Sequence, residues 1–182
     1  MPAPGKTITL PTGDVVEFVE TSDATGGATV KMRVVMKPGG LRANVHIHAK
    51  QDETFEVISG KLTYLLDGKE HVAEAGSTIV LPPGVPHQHY CNGPEATMVM
   101  QTLTPGLDFD YLLENIIGLA INGPHSPDSL FQGLVWIRKM KGPIYLPSLP
   151  IWFQRALAAI VTPIAYPLGY RAVYKRFSGR EW

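Results

Sequence analysis

The sequence has a single cysteine, Cys91, in 182 residues. That excludes an intrachain disulfide framework and suits a reducing, cytoplasmic setting. It has no net charge, because sixteen Lys+Arg balance sixteen Asp+Glu. A protein whose whole surface grips nucleic acid needs a basic surplus, so nucleic acid is not an expected partner. Charged residues are scarce at 18%, while apolar residues reach an ordinary 45%, which excludes disorder as the main state. Long apolar runs are missing too. The longest, Ala156 to Ala165, is broken by Pro163 and is too short for a membrane span. Residues 1–6 lack the basic start and apolar core of a secretory leader, so none is expected. The length suits one domain of ordinary size with an appendage.

The zero charge conceals an asymmetry. Residues 1–140 carry ten basic and fifteen acidic residues, net −5, and residues 141–182 carry six basic and one acidic, net +5. The text changes along the same axis. Up to about Leu103, β-branched or alternating runs recur at short intervals: Thr7–Leu10, Val15–Val19, Thr29–Met36, Ala43–His48, Thr54–Ile58, Leu62–Leu66, Thr78–Leu81 and Met98–Leu103. Turn signals separate them, the strongest being Asp67-Gly68, whose residues both tolerate the positive φ of a two-residue hairpin turn. Many short strands so punctuated predict an all-β core, a sandwich or barrel. After Pro105 the spacing turns helical. Helices are expected over Asp108–Ile121, Ser129–Met140 and Leu149–Val161, the last capped by Ser148 and kinked or ended by Pro163 and Pro167. The boundary is placed at residue 104, with 1–104 as the β-barrel and 105–182 as a helical extension.

The histidines carry the chemistry. His46 and His48 lie two apart in strand text and face one side. Glu53 follows after a short turn, and His87 comes from a later strand beyond Pro82-Pro83-Gly84. Neutral imidazoles with one carboxylate make a site for a divalent transition metal, and four protein ligands leave positions open for water, dioxygen or substrate.

These residues closely resemble the two motifs of the cupin family. The first is Gly40, His46, His48, Glu53 and Gly60 with every spacing kept; the second is Gly76, Pro82, Gly84 and His87, with Cys91 where Asn is usual and Asn92 one position late. Fifteen residues separate them, and the resemblance covers about residues 30–103. It implies an antiparallel jelly-roll barrel (a double-stranded β-helix) with His46, His48, Glu53 and His87 as metal ligands inside its mouth. It also makes a homodimer the expected assembly.

Around that centre, His89 shares a face with His87 and is expected to join Glu53 in catalysis. Asn44, on the His46 face, Phe55, on the Glu53 face, and Gln101, on the final strand, are expected to line a substrate pocket. Arg33 and Arg42 are weaker candidates, and His71 and His125 read as surface residues. Met32, Met36, Met98 and Met100 read as core filling. The pocket would be narrow and largely apolar, suiting a small, partly hydrophobic substrate that chelates the metal through oxygen. The favoured function is a metal-dependent oxidoreductase, most simply a dioxygenase with Fe(II); Mn, Ni, Zn or Cu are alternatives. The other readings are a metal-assisted isomerase, lyase or decarboxylase, and a non-catalytic small-molecule-binding cupin. The aromatic rings of the extension, Trp152 and Phe153 among them, are expected to pack on the barrel or on a second subunit, and membrane contact through the basic C-terminal tail is not expected.

Overall fold

The structure, a computed structural model, describes all 182 residues. Ten strands precede the first long helix: β1 Thr7–Thr9, β2 Val15–Glu20, β3 Val30–Met36, β4 Ile47–His48, β5 Asp52–Ser59, β6 Lys61–Leu66, β7 Lys69–Glu74, β8 Thr78–Leu81, β9 His87–Tyr90 and β10 Thr97–Thr104. One antiparallel sheet has the order β1-β2-β3-β10-β5-β8. The facing layer contains β7-β6-β9 and continues through a single bridge, His46 to His87, into the strand pair β4-β11, where β11 is Ile144–Tyr145. This is the expected jelly roll.

Alternation builds the core. On β3 the buried residues are Val30, Met32, Val34 and Met36; on β5 they are Glu53, Phe55 and Val57; on β10 they are Thr97, Val99, Gln101 and Leu103. Period-two burial is what one packed face of a sheet demands. The same phase sends Met98 and Met100 outward, half-buried, so these two do not fill the core as expected. It also leaves three polar residues, Glu53, Thr97 and Gln101, in rows otherwise built for hydrocarbon. The hairpin turn forms as read, with Asp67 at φ 49 and Gly68 at φ 75.

The strand expected over Ala43–His48 contracts to Ile47–His48, because Asn44 and its neighbours have no partner strand. The short helix α1 (Ser22–Thr25) was not foreseen; four residues carry no period. Beyond the barrel lie α2 (Phe109–Asn122), α3 (Leu130–Lys139), α4 (Ile151–Ala165) and a single turn, α5 (Lys175–Ser178). Pro150 rather than Ser148 sits at the N-cap of α4, and Pro163 lies inside that helix without ending it.

Polar bonds tie the extension to the barrel. Asp110 accepts the Ser22 amide at 2.9 Å, and Glu114 takes Lys6 and Ser178. Asp108, the N-cap of α2, spends its carboxylate elsewhere, on the amides of Lys141 (2.8 Å) and Gly142 (2.9 Å). That clamp delivers the chain into β11, which pairs antiparallel with β4 in the register Ile144 to His48 and Tyr145 to Ile47. The C-terminal tail is packed as well. Ala172 and Val173 are fully buried, and Trp136 Nε1 donates to the Ala172 carbonyl at 3.0 Å.

Candidate metal centre

His46 and His87 exchange both backbone hydrogen bonds, each at 2.9 Å. Residues so paired across antiparallel chains project from the same face, and His48, two positions beyond His46, shares it. Three imidazoles therefore converge, with ring centroids 4.7–5.4 Å apart. Glu53 comes from β5 in the opposite sheet. One ligand atom from each of His46, His48, Glu53 and His87 lies within 4.8 Å of the others, and all four residues are buried.

Each ring is held from behind. His46 Nδ1 meets the Asn44 carbonyl at 2.8 Å, and His87 Nδ1 meets the Val85 carbonyl at 2.8 Å. A carbonyl only accepts, so Nδ1 carries the proton and Nε2 keeps a bare lone pair. His48 Nδ1 faces Gln51 Oε1 at 3.2 Å, and the Gln51 amide donates onward to the Gly106 carbonyl at 3.1 Å, which fixes its orientation. On the fourth ligand, Gln101 Nε2 donates to Glu53 Oε1 at 2.6 Å, which holds the carboxylate and leaves Oε2 free. Metal ligands commonly rely on such outer partners for orientation and basicity.

What remains inward is a set of acceptors without donors. His48 Nε2, His87 Nε2 and Glu53 Oε2 are buried with no hydrogen-bond partner. His87 Nε2 and Glu53 Oε2 stand 3.2 Å apart, two lone-pair atoms facing one another without forming a hydrogen bond. One proton shared between them would still leave His48 Nε2 orphaned. A single cation among the four ligand atoms satisfies all of them, so the residues fit a divalent metal.

Electrostatics agree with that donor set. Burial pushes the His46 imidazole down to about 3, with neighbouring His48 adding to the effect. Burial also lowers His48. It pulls the Glu53 carboxyl upward, whereas a proton taken up by His87 or by the neighbouring imidazoles pulls it back below the usual carboxylate range. Neutral imidazoles and an ionised carboxylate are the protonation states that metal binding requires.

A stability consequence follows for the metal-free protein. The unfolded chain takes a proton on His46 and His48 below the ordinary imidazole value of 6.5, whereas the folded chain resists until lower pH, about 3 for His46. Between those limits the unfolded state binds more protons, so stability falls as pH falls. The chelated protein is therefore expected to melt at a lower temperature at pH 5 than at pH 7.5. Each kcal/mol lost lowers the midpoint by roughly 2–4 °C for a chain of this size. Equal midpoints in thermal melts across that interval would contradict the buried, neutral imidazoles.

Other expected site residues are distributed unevenly. His89 is not one of the four ligands. Its ring lies 4.6 Å from Phe55, its Nδ1 is buried without a partner, and burial lowers its pKa. Phe55 is fully buried below the centre. Gln101 is engaged with Glu53 rather than free to meet a substrate. Asn44 is a correction: its side chain is exposed and reaches Asp128 Oδ1 at 3.5 Å, because the chain there has left the sheet and only its carbonyl serves the site. Arg33 pairs with Glu17 at 2.7 Å on the exterior, and Arg42 covers the Tyr90 ring. His125 is half-buried against Tyr170 rather than at the surface, and His71 is exposed beside Tyr64.

Sequence reasoning missed Gln51, Phe109 and Gly142. Phe109 meets His48 edge-on with centroids 5.4 Å apart. Gly142 lies against Gln51, where a Cβ would stand 2.7 Å from Oε1. Gln51 had a signal, since it is in phase with the buried row Glu53, Phe55, Val57; Gly142 had none.

The cupin domain family model matches residues 32–104. No curated protein matches the chain. Similar solved structures include KdgF from a Halomonas species (18% identity, 55% of this chain and 86% of that one, TM-score 0.47). An RmlC-like cupin from Shewanella frigidimarina is 20% identical over 56% of this chain and 84% of that one, with a TM-score of 0.47. A predicted oxalate decarboxylase from Thermotoga maritima is 18% identical over 56% of this chain and 91% of that one, also with a TM-score of 0.47. With the family match, both motifs and the paired antiparallel sheets in hand, residues 32–104 of the chain form a cupin domain.

Proposed function

We propose that this protein is a metal-dependent cupin enzyme that oxidises a small, partly hydrophobic substrate with dioxygen, using Fe(II). The observation that supports it is the convergence of four buried ligand residues, His46, His48, Glu53 and His87, with His48 Nε2, His87 Nε2 and Glu53 Oε2 left without any hydrogen-bond partner. Bound by these residues, an Fe(II) ion would supply open positions and one-electron chemistry toward dioxygen. The protein's own contribution is orientation and exclusion of water. Asn44, Val85 and Gln51 aim the three rings, and Gln101 holds the Glu53 carboxylate in place. Phe55 and Phe109 wall the centre with hydrocarbon, which favours an apolar substrate body carrying oxygen donors. His89 is the proton acceptor for a substrate hydroxyl, its lowered pKa keeping the ring neutral at working pH. Incorporating both atoms of dioxygen into the product needs no external reductant. The chain acts as a homodimer in the cytoplasm on this reading, which the lone buried Cys91 suits.

His89 also supports a second reading. A buried, neutral base beside an ionised Glu53 equips the site for proton transfer without redox change, as in an isomerase, lyase or decarboxylase. Oxygen uptake separates the two. Protein loaded anaerobically with Fe(II) is expected to consume oxygen in step with loss of one member of a panel of diols, thiols and diketones. His89→Gln should slow turnover about 100-fold or more while retaining metal. Turnover that proceeds without oxygen, with Mn or Zn, favours the second reading. Silence across the panel under both conditions removes catalysis and leaves a binding module.

A further inference from the structure

Helix α4 is turned inside out. The residues it buries are Gln154, Ala158, Thr162 and Ala165, two of them polar and two small. Its outward face presents Trp152 (70% exposed), Phe153, Ala156, Ile160 (67% exposed) and Ile164, and that arc holds no polar residue. Leu149 before the helix and Leu168 after it extend the exposed apolar strip. The one cation of the helix, Arg155, sits at the edge of the arc, where its Nε donates to the Tyr145 hydroxyl at 2.9 Å. The sequence reading had these rings packed away; the structure buries the tail behind them and leaves α4 bare.

A second feature adjoins the strip. Between α3 and α4 runs an open groove of about 410 Å³, lined by Arg138, Lys139, Ala159, Thr162, Pro163 and Tyr166. Thr162 is 5% exposed, and its hydroxyl has no hydrogen-bond partner; the Tyr166 hydroxyl is likewise buried and unpartnered. Two cations and two idle hydroxyls are the donors that a phosphate oxygen takes. The lining itself carries charge of one sign, and Glu181, the acid whose charge reaches Tyr166, is already paired with Arg171 at 3.0 Å. Residues 129–180 contain eight Lys or Arg and no Asp or Glu.

We propose that α4 and this groove form a docking surface for an anionic phospholipid bilayer. The apolar face lies in the plane of the interface, and the groove receives a headgroup phosphate. An apolar strip rimmed only by cations is the pattern of helices that rest on membranes rather than cross them. Crossing is excluded for α4 by length, since fifteen residues rise only about 22 Å, and no helix of the chain is long and apolar enough to span. A second copy is the poorer occupant. A two-fold interface through this face would crowd together two grooves whose linings carry Arg138 and Lys139 and no carboxylate.

Sedimentation of the full-length, metal-loaded protein with vesicles tests this. It is expected to pellet with phosphatidylcholine vesicles containing phosphatidylglycerol, and at least about tenfold less with phosphatidylcholine alone. Pelleting should weaken as salt rises. Ile160→Ser with Ile164→Ser should abolish it, with metal content and melting temperature unchanged. Arg138→Gln with Lys139→Gln should weaken binding to the anionic vesicles roughly thirtyfold. Tryptophan emission should shift to the blue on vesicle binding, and Trp152→Phe should remove the shift, because Trp136 is already buried and Trp182 is packed against Tyr111. No pelleting with anionic vesicles overturns the proposal, as does pelleting indifferent to the isoleucine pair. So does a dimer in solution that the same isoleucine pair converts to monomer, which would assign the face to a second copy.

Discussion

Replacing His48 with alanine is expected to strip the protein of its metal. The purified wild-type protein should carry about one divalent ion per chain by elemental analysis, and the variant's affinity should drop by more than about a hundredfold, beyond what losing an outer-sphere partner costs. The expectation rests on the fit of the donor set: with His48 gone, the ring of four ligand atoms is broken. His48 is fully buried against Phe109, so the substitution also leaves a cavity. Cavities of that kind destabilise, so the far-UV spectrum and melting temperature of the variant should be recorded beside its metal content. A folded variant without metal supports the site. A folded variant with full metal content removes His48 from it, and a wild-type protein that carries and takes up no divalent ion removes the centre altogether.

The second large effect is expected at Gln51, which is not one of the four candidate ligands but meets one of them, His48, from behind. Gln51→Leu keeps the volume but withdraws the oxygen that accepts from His48 Nδ1, and it leaves the Gly106 carbonyl without its donor. Metal affinity should fall by roughly 10–100-fold with the fold intact. Gly142→Ala should act in the same direction through a different door, because the added methyl would press on Gln51 Oε1. A structural role alone would lower the melting temperature of metal-free and metal-loaded protein equally. The positioning role predicts a loss of affinity in calorimetric titration with Mn, restored in part by Gln51→Glu, which still accepts from His48. Unchanged affinity in both Gln51→Leu and Gly142→Ala would sink the link between extension and site.

The contrast between those two residues shows where legibility ended. The strands and their alternation were readable because one buried face enforces period two, and Asp67-Gly68 took the positive φ angles its turn needs. The four ligands were readable because chemistry restricts residue type at each position. Gly40 was legible as a motif position, and the structure supplies its reason: the Asp14 carboxylate, which accepts the amides of Lys37 and Leu41 at 2.7 Å, occupies the place of a side chain. By contrast, β11 is two residues long and has no period to read. The orientation of α4 defeated the usual inference from apolar periodicity to a buried face. Asn44 was misplaced because a regular strand was assumed where the chain had already left the sheet.

The pairing of β11 with β4 has one more consequence, for how this barrel meets its own kind. Without it, β4 would end the second layer as an open edge, offering bare amides and carbonyls beside His46 and His48. Such edges recruit strands from other molecules and seed aggregation. The two residues of β11 cap that edge and are too few to serve as a template themselves. At the opposite margin, β7 carries Lys69, Glu70, His71 and Glu74, all exposed, so charge discourages strand addition there. Both rims of the layer that carries His46, His48 and His87 are thus shut to edge-to-edge growth, which leaves β1 and β8, the margins of the six-stranded sheet, as the strand edges where a second copy could continue a sheet.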